Sequence, residues 1–314
     1  MHIHKRYIFY ATFILAIVTL NSLWFWYAPV TADKQLAITQ LADSQHIPIL
    51  DKDHHCHIPV LQWHAGDTFT YQTSFTHKRT QLMRYADSQD VTHKSMQLVG
   101  KLHVHIIGIN SEQQLVEIGL QFSAVKLYIN DQLDIHKAKL YQHFFVGVIA
   151  EDGEILSFQL PQSMMQNQLD KQFLANFIYS LQLMLPDAAQ VADSNFLWGT
   201  QTKDPLGLYR AEYEIDEDTC QLVKNKQQYL APAADSVHHS IPVIEYAATH
   251  IDLDQTGSWF KKLEGTEIVT IEKIKQHLTV SNSNYIEMEK IASPIDRTLA
   301  VWQFNSLAQA LKYV

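Results

Sequence analysis

An uncharged run from Tyr7 to Ala32, rich in Ile, Leu, Phe, Trp and Tyr, follows His4, Lys5 and Arg6. A basic start before a long apolar stretch delivers a chain to a membrane and usually through it, which restricts the fold more than any other feature here. A secretory signal has an apolar core of about 7–15 residues, whereas a helix that spans the bilayer needs about 20. Residues 7–27 match the longer figure, and Trp24, Trp26 and Tyr27 close the run as an interfacial belt does. The basic residues precede the run and Asp33 follows it, so the positive-inside rule puts the N-terminus in the cytoplasm. The rest is then extracytoplasmic, on the periplasmic or secretory-lumen side. Val30-Thr31-Ala32 also fits a small-residue cleavage site, so a cleaved signal stands as the alternative to an uncleaved anchor. The expected organisation is a basic start with anchor or signal over 1–32, a linker over 33–60 and a β-rich extracytoplasmic domain over 61–314.

A net charge of −9 and no basic stripe argue against nucleic acid as a partner. Glycine and proline are sparse and no stretch is low in complexity, so the part after the anchor is a folded domain rather than a tail. There are two cysteines, Cys56 and Cys220. In an oxidising compartment they are a disulfide candidate that would close a long loop; two separate thiols are the alternative.

From Leu61 onward the apolar pattern has period two, the strand signature. Phe69, Tyr71, Thr73 and Phe75 share one face. Leu102, Val104 and Ile106 share another, with His103 and His105 opposite, where a wet strand face is expected. Val116, Ile118, Leu120 and Phe122 alternate with Glu117, Gly119 and Gln121. Leu140–Val148 reads as a more apolar strand, and Asp152-Gly153 as a hairpin turn before Leu156, Phe158 and Leu160. Ser163 is then a plausible N-cap for a helix over 163–185, carrying Met165, Leu169, Phe173, Phe177, Leu181 and Met184 at helical spacing and ended by Pro186. Strands resume at Tyr209–Ile215, Val243–Leu253, Ile268–Val280, Asn284–Ile291 and Leu299–Phe304, with Ser258–Leu263 as a loop or short turn. The expected fold is mainly β: an antiparallel barrel or half-closed sheet with one long amphipathic helix, preceded by the N-terminal transmembrane anchor.

The order of these pieces resembles the N-terminal β-barrel of the vitellogenin and microsomal-triglyceride-transfer family of large lipid transfer proteins. Leu61-Gln62-Trp63-His64-Ala65-Gly66 followed by Phe69 and Tyr71 is similar to that family's opening strand. Phe144-Phe145-Val146 through Glu151-Asp152-Gly153-Glu154-Ile155 to Leu160-Pro161 resembles its strand–turn–strand before the long helix. Asn176-Phe177-Ile178-Tyr179-Ser180-Leu181 resembles the helix core, with Phe177-Ile178 where the family carries a basic residue. Asp204-Pro205-Leu206-Gly207-Leu208-Tyr209, then Tyr213, resembles the strand after the helix. In that family a helical solenoid and further sheets form the main lipid cavity, and the barrel serves largely as a partner-docking module. The resemblance therefore implies lipid handling, by binding an apolar ligand or by docking to an envelope partner.

Chemistry is thinly marked. Asp53-His54-His55-Cys56 spells the DHHC of protein palmitoyltransferases, but those resemble multi-span proteins with a cysteine-rich zinc domain, and this chain has one apolar span and two cysteines. His54, His55 and His57 remain weak candidates for a transition-metal site, as do His103 and His105. No nucleophile elbow, phosphate-binding glycine loop or HExxH motif occurs, so catalytic residues and cofactors are expected to be none. The primary reading is a membrane-anchored, non-catalytic envelope protein whose ectodomain binds an apolar ligand or a partner in lipid handling. Trp63, Phe69, Tyr71, Phe173 and Phe177 are its candidate ligand-binding residues. A docking subunit for a separately encoded partner and a metal-binding protein or metal-dependent hydrolase are the alternatives.

Overall fold

The computed structural model describes Cys56 and residues 61–186, 197–234, 240–254, 259–273, 277–293, 298–304, 306–312 and 314, all within one compact unit, Leu50–Val314. The expected anchor over 7–27, the linker other than Cys56, and His54, His55 and His57 lie outside the described residues. Among the described residues no helix is long and apolar enough to cross a membrane.

Among the described residues, twelve antiparallel strands form one sheet. They are β1 (Thr68–Arg84), β2 (Gln89–Asn110), β3 (Leu115–Ile129), β4 (Gln132–Leu133), β5 (Phe144–Ala150), β6 (Ile155–Gln159), β7 (Leu197–Asp204), β8 (Gly207–Asp216), β9 (Gln221–Pro232), β10 (Val243–Leu253), β11 (Phe260–Lys273) and β12 (Leu278–Lys290). Their order is β6-β5-β3-β2-β1-β12-β11-β10-β9-β8-β7, with β4 on β3. The sheet is therefore mainly hairpins, folded back so that the first strand and the last lie side by side at its middle, Phe75 opposite Ile286. The hydrogen-bonded path is open: β6 and β7 lie at its two ends and, among the described residues, do not pair.

The alternation of side chains dictates what the sheet encloses. Phe69, Tyr71, Thr73 and Phe75 are all buried on one face, and so are Val116, Ile118, Leu120 and Phe122. Against this inner face lies α3 (Gln168–Ser180), preceded by the short helices α1 (Ile135–Leu140) and α2 (Gln162–Met165). The Phe173 and Phe177 rings meet Phe75 at 5.0 and 5.5 Å, and Phe177 meets Phe122 at 5.1 Å. Asp170 fixes the helix from the side, accepting from Tyr141 Oη at 2.8 Å and pairing with Lys137 Nζ at 2.7 Å.

The expected helix over 163–185 is thus shorter and broken. Pro161 rather than Ser163 precedes α2, and the Asn167 side chain starts α3 by accepting from the amides of Leu169 and Asp170. The helix stops at Ser180, whose hydroxyl donates back to Asn176 O at 2.7 Å. Beyond it the backbone is taken over by the sheet: Leu185 N donates to Asp152 O at 2.8 Å and Met184 N to Tyr213 Oη at 3.3 Å. The Gln182 side chain accepts from Ile155 N and donates to Thr202 Oγ1 and Tyr209 Oη. Gln182–Leu185 therefore bridges the two unpaired ends of the sheet. Gly153 makes this approach feasible: it has φ +94°, and a Cβ there would stand 1.7 Å from Leu183 O.

Other expectations also shift. Residues up to Leu140 belong to α1, capped by Asp134, and the apolar strand begins at Phe144. Phe260 and Leu263 are strand residues of β11 with fully buried side chains, not part of a loop. The single strand Ile268–Val280 is two, because β11 ends at Lys273 and β12 starts at Leu278, with His277 at φ 50° between them. Leu299–Phe304 forms a 3-10 turn (Ala300–Trp302) followed by α4 (Leu307–Ala310). That C-terminal strap lies on the outer face of β2, β3 and β5. Val301 N donates to Gln121 Oε1 and Leu307 N to Glu117 Oε2, while Phe304 stacks on Phe144 at 4.9 Å. His103 and His105 are consequently buried under Trp302 rather than wet.

Candidate functional site

The sequence-predicted ligand residues fall into two places in the core. Phe69 and Tyr71 are buried; Tyr71 packs against Phe260 at 4.8 Å and donates its hydroxyl to Phe260 O. Trp63 is half-buried with its ring edge-on to Trp259. Phe173 and Phe177 hold the helix to the sheet as described above. These side chains fill the inner face themselves.

The two cysteines are joined: Cys56 and Cys220 form a disulfide across 164 positions. Cys220 sits in the β8–β9 turn at φ 54°, and the bridge fastens Cys56 to that end of the sheet.

A small, partly open cleft lies where the end of α3 faces β9 to β12. The strands around it splay. β10 pairs with β9 only from Ala248 to Ile251, whereas its pairing with β11 begins at Val243. Inward positions of β9 carry Leu222, Lys224 and Lys226, so alternation that elsewhere delivers apolar groups here delivers two lysines.

Lys226 Nζ is held by Asp204 Oδ2 at 2.7 Å and by Glu267 Oε1, and Tyr229 Oη donates to the same Asp204 oxygen at 2.7 Å. The two carboxylates outweigh burial and hold the ammonium charged well above the ordinary lysine range. A chain of polar contacts runs on from Glu267: Asn284 Nδ2 donates to it at 3.2 Å, Asn284 Oδ1 meets His77 Nδ1 at 2.7 Å, and Asn176 of α3 lies 3.5 Å from that nitrogen. Burial lowers the His77 pKa.

Lys224, two positions earlier on the same face, is treated oppositely. It is 6% exposed, and its Nζ donates to Gln182 O at 2.9 Å. The nitrogen lies 5.7 Å from the centre of the Tyr209 ring and 6.0 Å from that of Tyr213. Burial, reinforced by the neighbouring Lys226 ammonium and only partly opposed by Glu267 and Asp204, brings its pKa down to about 7. The cleft therefore holds a locked ion triad, and burial beside it favours the neutral form of Lys224.

Nothing in the sequence marks β9, the strand that carries both lysines, as functional. Its signal is the alternation Leu222, Lys224, Lys226 against Val223, Asn225 and Gln227, which reads more naturally as a solvated face. Among the described residues no group of three His, Cys, Asp or Glu side chains stands ready to hold a metal ion.

No protein-family model and no curated protein matches the chain. A solved structure of lipovitellin, described for its lipid–protein interactions, is similar at 12% identity and a TM-score of 0.45, with 74% of this chain and 26% of that chain covered. The chain thus spans about a quarter of the lipovitellin chain.

Proposed function

We propose that the chain is a membrane-anchored, extracytoplasmic docking module in lipid handling, which engages a separately encoded envelope partner through the outside of its sheet. The observation that carries this reading is the filled inner face. Phe75, Phe122, Phe173 and Phe177 occupy the space an enclosed apolar ligand would need, and the cleft beside them is small, with the ion-paired Lys226, Asp204 and Glu267 in its lining. Apolar recognition is then left to the exterior. Register puts Val243, Tyr246 and Tyr285 on one outer face of β10 to β12, where all three are exposed. The apolar run over 7–27 supports the anchor, and the Cys56–Cys220 bridge is in keeping with an oxidising compartment.

The test uses the full chain in its own membrane. A photo-crosslinker at Tyr246 is expected to capture one protein reproducibly, and native mass spectrometry of the detergent-purified chain is expected to show the bare chain mass. Stoichiometric lipid released by organic extraction would replace docking with a carrier role.

A further inference from the structure

We propose that the tip of the β1–β2 hairpin is a membrane-contact surface, which rests on the anionic phospholipid headgroups of the bilayer that holds the anchor. This contact depends on the anchor over 7–27 proposed above and is independent of the docking face.

Register builds the tip from three strand ends. β1 pairs with β2 to its last residue, Arg84 opposite Gln89, and with β12 as far as Met83 opposite Leu278. Arg84 N donates to His277 O at 2.9 Å, which holds the hairpin against the start of β12. This end of the sheet stands clear of the core. Every residue of β2 from Gln89 to Lys94 is exposed, at odd and even positions alike, so neither face of that stretch is covered. Burial on one face begins only at Met96 and Leu98.

The chemistry of the tip differs from that of the rest of the chain. The net charge is −9, yet residues 78–94 hold four Lys or Arg and only two Asp. Those cations are Lys78, Arg79, Arg84 and Lys94, and Lys273 at the end of β11 joins them across Leu278. The acidic neighbours are Asp87, Asp90 and Glu272. Among the described residues none of these five cations has a carboxylate within ion-pair distance, whereas Lys137, Lys226, Lys262 and Lys290 each do. Two apolar side chains stand among the cations: Tyr85 is 52% exposed and Val91 48%. Cations beside an exposed tyrosine and an exposed aliphatic group suit the headgroup boundary, where charge meets phosphate and the ring and methyls enter the interface.

An acidic protein surface would answer the same charges, and the anchor decides in favour of the bilayer. It keeps the tip close to a lipid surface at all times, so a weak contact suffices. Length permits the contact: the chain from Tyr27 to Cys56 reaches at most about 95 Å, and β1 is about 56 Å long. Each Lys or Arg beside an anionic leaflet raises affinity about fivefold, and the attraction fades within about 8 Å at physiological salt. Residues of the tip therefore feel the surface and those of the acidic body do not.

The experiment attaches an environment-sensitive dye to the full chain through Val91→Cys; the two native cysteines are joined to each other and do not react. The labelled chain is placed in nanodiscs of phosphatidylcholine, with or without phosphatidylglycerol. Emission is expected to shift to the blue only in the anionic discs. The shift should vanish in about 1 M NaCl, where screening acts within about 3 Å. Arg84→Glu combined with Lys94→Glu should lower the ratio of bound to free tip at least about 25-fold. The same dye at Glu214→Cys, on the outer face of β8, should read the two discs alike. A chain that does not co-purify with neutral discs refutes the anchor, and the proposal with it. A chain that enters both discs but gives one spectrum from the Val91 position, or a shift that survives high salt or the double reversal, overturns the contact and leaves the anchor standing.

Discussion

The side-chain amide of Gln182 donates to Thr202 Oγ1 at 3.0 Å, while its own oxygen accepts from Ile155 N at 3.1 Å. One residue thereby ties β6 to β7, the two strands at which sheet pairing stops. Gln182→Ala is expected to strand several buried polar groups and cost about 3 kcal/mol. Urea denaturation would show this as a lower midpoint; an unchanged midpoint would mean that the bridge contributes little to stability.

The Cys56–Cys220 bridge closes a loop of 164 positions. Loop-closure entropy for such a span is worth about 4–5 kcal/mol. Cys220→Ala, or reduction before denaturation, should remove most of that. A loss below about 1 kcal/mol would show that the unfolded chain is already compact without the bridge.

Stability should depend on pH in a way set by Lys224. Its folded pKa of about 7 lies below the ordinary value of 10.5, so between these limits the unfolded chain holds the extra proton. Stability therefore rises as pH increases through that window. His77, lowered from 6.5, adds stability that is lost as pH falls below 6.5. Burial raises Tyr71, Tyr141, Tyr209, Tyr213 and Tyr229, whose contribution is present below pH 10 and lost above it. Urea midpoints should climb from pH 6 to about 9.5 and fall beyond 10. Lys224→Met should flatten the climb between 7 and 9.5; an identical climb in that variant would assign it elsewhere.

Phe304→Ala should loosen the C-terminal strap. The ring stacks on Phe144 at 4.9 Å within a satellite cluster that also buries Ile107, Val146 and Val301. A cost of about 3 kcal/mol is expected. Binding of a dye specific for exposed apolar surface should increase as Ile107 and Phe144 become wet. Loss of stability without dye binding would mean that the strap stays in place.

Much of this architecture is legible in residue order. The alternation at Phe69–Phe75 and Val116–Phe122 identifies inward faces correctly because the large apolar side chains of those stretches all fall on one face. Val243–Leu253 is a strand with the bounds that its pattern indicates. What escapes is whatever depends on a distant partner. Nothing near His103 and His105 announces that Trp302 will cover them. Leu299–Phe304 is apolar enough for a strand, but it lies on a finished sheet rather than in it. Leu181 and Met184 continue a helical spacing, yet the sheet ends compete for that backbone and prevail. The cleft was least visible of all, because lysines that face inward are indistinguishable in sequence from lysines that face water. The disulfide candidate, by contrast, needed only that two cysteines exist.

The central position of the β1–β12 pair has a consequence for biosynthesis. Thr73 finds its partner only when Met288 has been made, so one long edge of β1 stays unpaired until almost the whole chain exists. Non-local pairing of this kind folds slowly and leaves strand edges exposed to neighbouring chains. The two halves of the sheet can form hairpin by hairpin as they emerge, but they become one molecule only when the last strand arrives. A chain of this design favours being kept apart from its copies during synthesis, and its yield should be more sensitive to crowding with itself than to any single side chain in its core.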